Sequence, residues 1–103
     1  MLPKDAIERK KILIYSGVLS YFPDAIKEVA HISLIGSQQH NPGKPLHWDR
    51  SKSTDDADAC VRHLTDRASG EVFDTDGCRH LGKAAWRALA LLQKEIEDES
   101  KSV

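Results

Sequence analysis

The chain has 103 residues, with 15 lysines and arginines against 16 aspartates and glutamates, a net charge near −1 and 40% hydrophobic residues. That length fits a single domain. An isoelectric point of about 6.5 argues against non-specific nucleic-acid binding, whose usual footprint is a pI above about 9. No apolar run approaches the roughly 18 residues of a membrane span, and the first residues lack the apolar core of a signal peptide. A cytoplasmic protein is therefore expected, one that engages neither nucleic acid nor membrane. Cys60 and Cys78 can form one bridge at most, and an intracellular compartment keeps them reduced. Burial is hard at this size and hydrophobic content, so a subunit interface is expected.

Residues 1–17 read as an N-terminal arm. Its charged stretch, Lys4 to Lys11, can form a short helix, whereas Ile12-Leu13-Ile14-Tyr15 is too short for periodicity to assign and reads as irregular or extended. Residues 18–98 form one domain. Its first helix starts after Phe22-Pro23, since proline suits a first helical turn, and packs through Ala25, Ile26, Val29, Ile32 and Ser33. Asn41-Pro42-Gly43 stops it, and Gln39 to Lys52 reads as loop. The second helix opens at Ser53-Thr54-Asp55-Asp56, where either hydroxyl can cap and the acids complement the helix dipole. Its apolar stripe is Ala57, Cys60, Val61 and Leu64, Ser69-Gly70 ends it, and Asp74-Thr75-Asp76-Gly77 is a polar turn. A third helix from about Cys78 to Glu97 repeats Leu81, Ala85, Leu89, Leu92 and Ile96 on one stripe. Ala84, Ala88 and Leu91 widen that stripe, which predicts burial on several sides. Residues 99–103 are a polar tail expected to fray. Nothing reads as a strand, so the predicted class is all-α.

The acids are the first candidates for chemistry. Asp24, Glu28 and His31 share one face of the first helix, roughly opposite its packed stripe. Asp55 and Asp58 share a face of the second helix, with Arg62 one turn on. Two such helices facing each other would build an oxygen cage for a hard cation, Mg²⁺ or Mn²⁺. Without a metal, carboxylates so close would repel. The bland alternative is that these acids are solvated faces and helix-dipole partners, most of all Asp55 and Asp56. A rival metal reading takes Cys60, His63, Cys78 and His80 as zinc ligands, although Cys-x-His is an unusual spacing and small buried thiols account for both cysteines. No adjacent His-Asp pair of an HD-type phosphohydrolase is present. Gln38-Gln39-His40-Asn41 only faintly suggests an HNH nuclease, with no strands beside it.

The loop gathers Lys44, His47, Trp48, Arg50 and Lys52. Cations beside an acidic metal site are what a polyphosphate needs. Trp48 can stack on a nucleobase or, alternatively, plug the core under the loop. Trp86 reads as core, and His63 and His80 as structural or supporting histidines. No Gly-rich phosphate loop is present.

Three stretches together resemble a known family. They are Tyr21-Phe-Pro-Asp-Ala-Ile-Lys-Glu-Val-Ala30 leading to His40-Asn-Pro-Gly-Lys-Pro-Leu-His-Trp48; Ser53-Thr-Asp-Asp-Ala-Asp58 leading to Val61-Arg-His-Leu64; and Asp76-Gly77, His80 and Lys83-Ala-Ala-Trp-Arg-Ala-Leu-Ala-Leu-Leu92. This order is similar to the phage dATP/dGTP diphosphohydrolases, MazZ-type relatives of the MazG-like nucleotide pyrophosphohydrolases, over about Ser16 to Glu97. The resemblance implies an all-α, Mg²⁺- or Mn²⁺-dependent homodimer or homotetramer that cuts purine deoxynucleoside triphosphates to the monophosphate and pyrophosphate. In some such phages the dGMP feeds 2-aminoadenine nucleotide synthesis. The wider group pairs Glu-x-x-Glu on one helix with Glu-x-x-Asp on the next. Asp55-x-x-Asp58 matches the second pair with aspartate for glutamate, and Glu28 with Asp24 or His31 matches the first incompletely. The implied metal ligands are Asp24, Glu28, Asp55 and Asp58, with Glu28 and Asp58 catalytic and Glu28 orienting the attacking water. Lys44, His47, Trp48, Arg50, Arg62 and Lys83 are the implied substrate contacts. The other reading that the sequence permits is a non-catalytic all-α module that binds nucleotide or holds an oligomer together.

Overall fold

The computed structural model describes residues 1–101. Four α-helices follow in order among them: α1 (Ala6–Arg9), α2 (Pro23–His40), α3 (Asp56–Ala68) and α4 (His80–Lys101), with a π-helical segment at Tyr15–Leu19 and a 3₁₀ turn at Arg50–Lys52. The class is all-α. An isolated antiparallel bridge, Phe73 to Arg79, closes the turn before α4 and does not extend into a strand. Among the described residues no helix is long and apolar enough to cross a membrane.

The N-terminal region is more ordered than an irregular arm. Asp5 caps α1 by accepting from the Glu8 backbone N–H at 3.0 Å. The apolar run continues into the π-helical segment, which rests against α2. Pro23 sits in the first turn of α2 as its fixed φ allows. Beyond Asn41, Gly43 takes a φ of 76°, a left-handed conformation that glycine adopts without steric cost. Gly77 does the same at φ 81° in the Asp74–Gly77 turn. At the far end α4 continues past Glu97 to Lys101. Of the expected frayed tail, Ser102 and Val103 lie outside the described residues.

Both α2 and α3 pack on α4, and not on each other. The α2–α4 contact runs through Gly82, where a Cβ would clash with Ile32 Cδ1 and stand 3.2 Å from Glu28 Cγ. Glu28 thus lies half-buried on the packed side of α2, not opposite it, while Asp24 and His31 are exposed. The two-helix oxygen cage expected from α2 and α3 is not formed within one chain, because α4 is the shared partner of both.

The α3–α4 interface corrects two expected stripes. On α3 the packed residues are Asp56, Ala59, Cys60 and His63, whereas Ala57, Val61 and Leu64 face outward. On α4 the packed residues include His80, Gly82, Ala84 and Ala90, with Trp86, Arg87 and Lys94 half-buried beside them. The Leu81–Ala85–Leu89–Leu92–Ile96 stripe is exposed, its four large members at 50–53%. At about 100° per residue these five positions form one continuous band, so α4 is amphipathic in an inverted sense: small and charged residues inside, leucines outside. The dimensions agree, since the radius of gyration is 15.7 Å against about 13 Å for a compact 100-residue domain.

The charged interior is organised by Asp56, only 3% exposed. Its Oδ1 accepts from Ser53 Oγ and from Arg87 Nη1, both at 2.7 Å, and its Oδ2 accepts from Lys94 Nζ at 2.7 Å. The Ser53 hydroxyl is therefore spent on this buried carboxylate and not on capping; Asp55 is the N-cap, without a side-chain cap bond. Burial pushes the Asp56 pKa up, but the Lys94, Ser53 and Arg87 hydrogen bonds together outweigh it, and the pKa lies below the ordinary aspartate value.

Replacing Asp56 by asparagine leaves two cations facing a neutral group, and we expect a loss of about 3 kcal/mol, the low end for breaking a buried pair, in urea unfolding followed by circular dichroism. A depressed folded pKa contributes stability above the unfolded value and loses it as the pH falls through the folded one. The wild type should therefore weaken in acid below about pH 4, and Asp56→Asn should flatten that dependence.

Candidate functional site

A cleft of about 180 Å³ lies between the C-terminal half of α2, the segment 41–53 and the first half of α4. One end is aromatic and basic. Trp48 and Trp86 meet edge to face at 5.5 Å between ring centroids, the Arg50 guanidinium lies 4.3 Å over the Trp48 ring, and Lys94 Nζ stands 5.6 Å from it. Arg50 is also paired with Glu97, whose carboxyl is drawn down to about 2 by that bond and by Gln93. The loop is fastened by the His47 backbone N–H donating to Ser37 Oγ at 3.1 Å. Trp48 does more than plug a core: its ring lines the cleft and its buried Nε1 has no hydrogen-bond partner.

The other end is acidic with a cation at its centre. Lys83 Nζ donates to Asp74 Oδ2 and Asp76 Oδ2, each at 2.7 Å, and Gln39 Nε2 donates to Asp76 Oδ2 at 3.1 Å. Burial pulls the Lys83 pKa down, yet the two aspartate bonds outweigh it and leave it raised. The same bonds hold Asp74 and Asp76 below the usual carboxylate range, with help from the Thr75 and Cys78 backbone N–H groups. Glu28 Oε1 sits beside this turn, 3.5 Å from the Arg79 backbone N–H. Beneath it His63 and His80 approach with Nδ1 to Nδ1 at 3.0 Å. Burial first, then the Lys83 charge, lowers the His63 pKa.

Of the residues singled out in the sequence, His47, Trp48 and Lys83 line this cleft and Arg50 covers Trp48. Lys44 is exposed in the turn after α2. Asp55 and Asp58 line a separate, shallower depression together with Arg50 and Lys94. There Asp55 accepts from Arg62 at 2.8 Å, and that bond lowers its pKa. Asp24 belongs to neither cavity. Among the described residues, the groups of three whose ligand atoms lie close enough to share an ion are His63, Asp74 and His80, and Asp66, Glu71 and His80. The Asp24, Glu28, Asp55 and Asp58 set forms no such group. Nor do Cys60 and Cys78 gather around the histidines: both thiols are free, and Cys60 Sγ donates to the Ala84 carbonyl at 3.4 Å. Sequence reasoning passed over Gln39, Asp74, Asp76 and Arg87 as site residues. The Asp-x-Asp turn ahead of Lys83 is a visible signal, but no helical spacing relates it to Gln39.

An aromatic wall with a guanidinium over it suits a flat heterocycle, and half-buried cations bridged by carboxylates suit anionic or cationic ligands that can exchange with them. No curated protein and no solved structure matches the chain. A family model does, over residues 3–102, nearly the whole sequence, and its description is dATP/dGTP diphosphohydrolase, N-terminal. By that match the chain belongs to the dATP/dGTP diphosphohydrolase N-terminal family.

Proposed function

We propose that this chain is a cytoplasmic hydrolase that cleaves purine deoxynucleoside triphosphates, dGTP or dATP, to the monophosphate and pyrophosphate. In a phage setting the dGMP formed would supply 2-aminoadenine nucleotide synthesis. The observation that carries the reading is the coincidence of the family match with a cleft holding Trp48 under Arg50 at one end and ionised groups at the other. In this reading the purine stacks on Trp48. Lys44, His47, Arg50, Arg62 and Lys83 balance the phosphates and the leaving pyrophosphate. Glu28 and Asp58 are the catalytic carboxylates, with Glu28 orienting the attacking water or taking its proton as bond formation at the α-phosphorus acidifies it.

Mg²⁺ or Mn²⁺ is the proposed cofactor, its chemistry being to polarise phosphate oxygens. Asp24, Glu28, Asp55 and Asp58 have suitable all-oxygen donors, but they do not fit one ion within one chain, since α2 and α3 pack on α4 and not on each other. We propose that copies of the chain complete the set in a homodimer or homotetramer. The outward Leu81–Leu89–Leu92–Ile96 band of α4 and the exposed Val61 and Leu64 of α3 are what such an assembly would cover.

Incubation with dGTP, dATP, dCTP or dTTP and Mg²⁺ or Mn²⁺ should yield monophosphate and pyrophosphate from the purine substrates alone. Release of single phosphates would end the α–β cleavage reading. No turnover with any of the four would leave a nucleotide-binding or oligomerisation module. Glu28→Gln should lower kcat at least about 100-fold, as expected for loss of a general base.

The association state is tested separately. Leu89→Asp places a charge in the middle of the outward band and should convert the assembly to monomer in analytical ultracentrifugation. A wild type that sediments as a monomer would remove the shared-site proposal.

A further inference from the structure

His80 is 2% exposed, and its Nε2 is a buried polar atom without a hydrogen-bond partner. The ring is nonetheless surrounded by ligand-type groups. Its Nδ1 faces His63 Nδ1 at 3.0 Å and Asp66 Oδ2 at 3.9 Å, and its Nε2 faces Glu71 Oε2 at 3.4 Å. A carboxylate oxygen of Asp74 and one ring nitrogen from each of His63 and His80 lie within 4.8 Å of one another. These residues come from α3, the turn before α4 and the start of α4, so the cluster ties three parts of the fold together.

Two imidazole nitrogens 3.0 Å apart admit one proton between them or one metal ion beside them. In a tetrahedral site with metal–nitrogen bonds of about 2.0–2.1 Å, neighbouring ligand nitrogens stand about 3.3 Å apart, a few tenths of an ångström from what is seen. A metal-bound histidine almost always donates its second ring N–H to a carboxylate, backbone carbonyl or water, which fixes the tautomer. Glu71 is placed to be that acceptor for His80 Nε2. Charge favours a cation too: Asp66, Glu71 and Asp74 are opposed by Lys83, which holds Asp74 Oδ2 at 2.7 Å, while Asp74 Oδ1 accepts from the Thr75 backbone N–H at 2.7 Å. A carboxylate has lone pairs to spare beyond those two bonds.

The geometry points to a transition-metal site of the zinc class, with His63 Nδ1, His80 Nδ1 and an Asp74 oxygen as ligands, Glu71 behind His80, and a fourth position left for water. Nitrogen-rich ligands separate it from the all-oxygen chemistry of Mg²⁺ or Mn²⁺, and it uses neither cysteine. It does not rest on the hydrolase reading: binding is measured on the protein itself, and absence of nucleotide turnover leaves it standing.

The test is titration of the full chain with Co²⁺, in excess Mg²⁺, followed by visible absorption and then by Zn²⁺ displacement. One equivalent per chain with ligand-field bands that Zn²⁺ abolishes is the expected result. His63→Gln and Asp74→Asn should lose the bands while circular dichroism stays helical. Glu71→Gln, at an exposed position that puts no fold at risk, should keep them with affinity weakened about 10- to 100-fold. No bands in the wild type, or full-affinity binding in both ligand variants, would overturn the site. Unchanged affinity in Glu71→Gln would overturn the arrangement behind His80.

Discussion

The carboxylate of Asp56 is the constraint on which the α3–α4 packing turns. A buried aspartate must be paired or neutralised, and here two cations from one helix converge on it, Arg87 and Lys94, seven residues apart and so on one face of α4. Once that face is committed to the charges, the hydrophobic band of α4 cannot also face α3. Small residues, Ala84 and Ala90, fill the remaining space between the axes, and the leucines turn outward. Arg87 and Lys94 also stand near the tryptophans, at 5.7 Å from Trp86 and 5.6 Å from Trp48. The interaction that joins the two helices thereby sets the character of the cleft's aromatic end.

How much of this is readable from the chain alone depends on the kind of signal. Breakers read well: Pro23 and Asn41-Pro42-Gly43 bracket α2, and Ser69-Gly70 and the Asp74–Gly77 turn bound the stretch before α4. Local spacing finds helices because one residue's conformation constrains its neighbours. The choice of inner face is a different matter. Ranking side chains by hydrophobicity places Leu81, Leu89 and Ile96 inside, whereas the face of α4 toward α3 is taken by Arg87 and Lys94 on Asp56. Nothing in the periodicity of α3 distinguishes Asp56 from Asp55 or Asp58, yet Asp56 is buried and the other two are exposed. The distinction arises 31 and 38 residues away, at Arg87 and Lys94.

The same limit governs the site. His47 and Trp48 were identifiable by type, in a loop of cations with an aromatic, and Lys83 through the family resemblance; all three line one cleft. The partners of Lys83 were not, because Asp74 and Asp76 sit in a turn whose φ values, not whose periodicity, carry them to the helix. The pairing of His63 with His80 likewise bridges 17 residues through a tertiary contact.

Lys83 already serves two aspartates, Arg87 serves Asp56, and Arg50 serves Glu97. None of these cations is idle, so a triphosphate bringing several negative charges would have to displace carboxylates that are hydrogen-bonded and ionised. Each displaced carboxylate would then lack its counter-charge in a partly desolvated site, where like charges repel strongly. A divalent cation bound with such a ligand would offset this, supplying positive charge that these paired side chains do not have free. Any polyphosphate entering this cleft must therefore compete with carboxylates for Lys83, Arg87 and Arg50, each of which is already ion-paired.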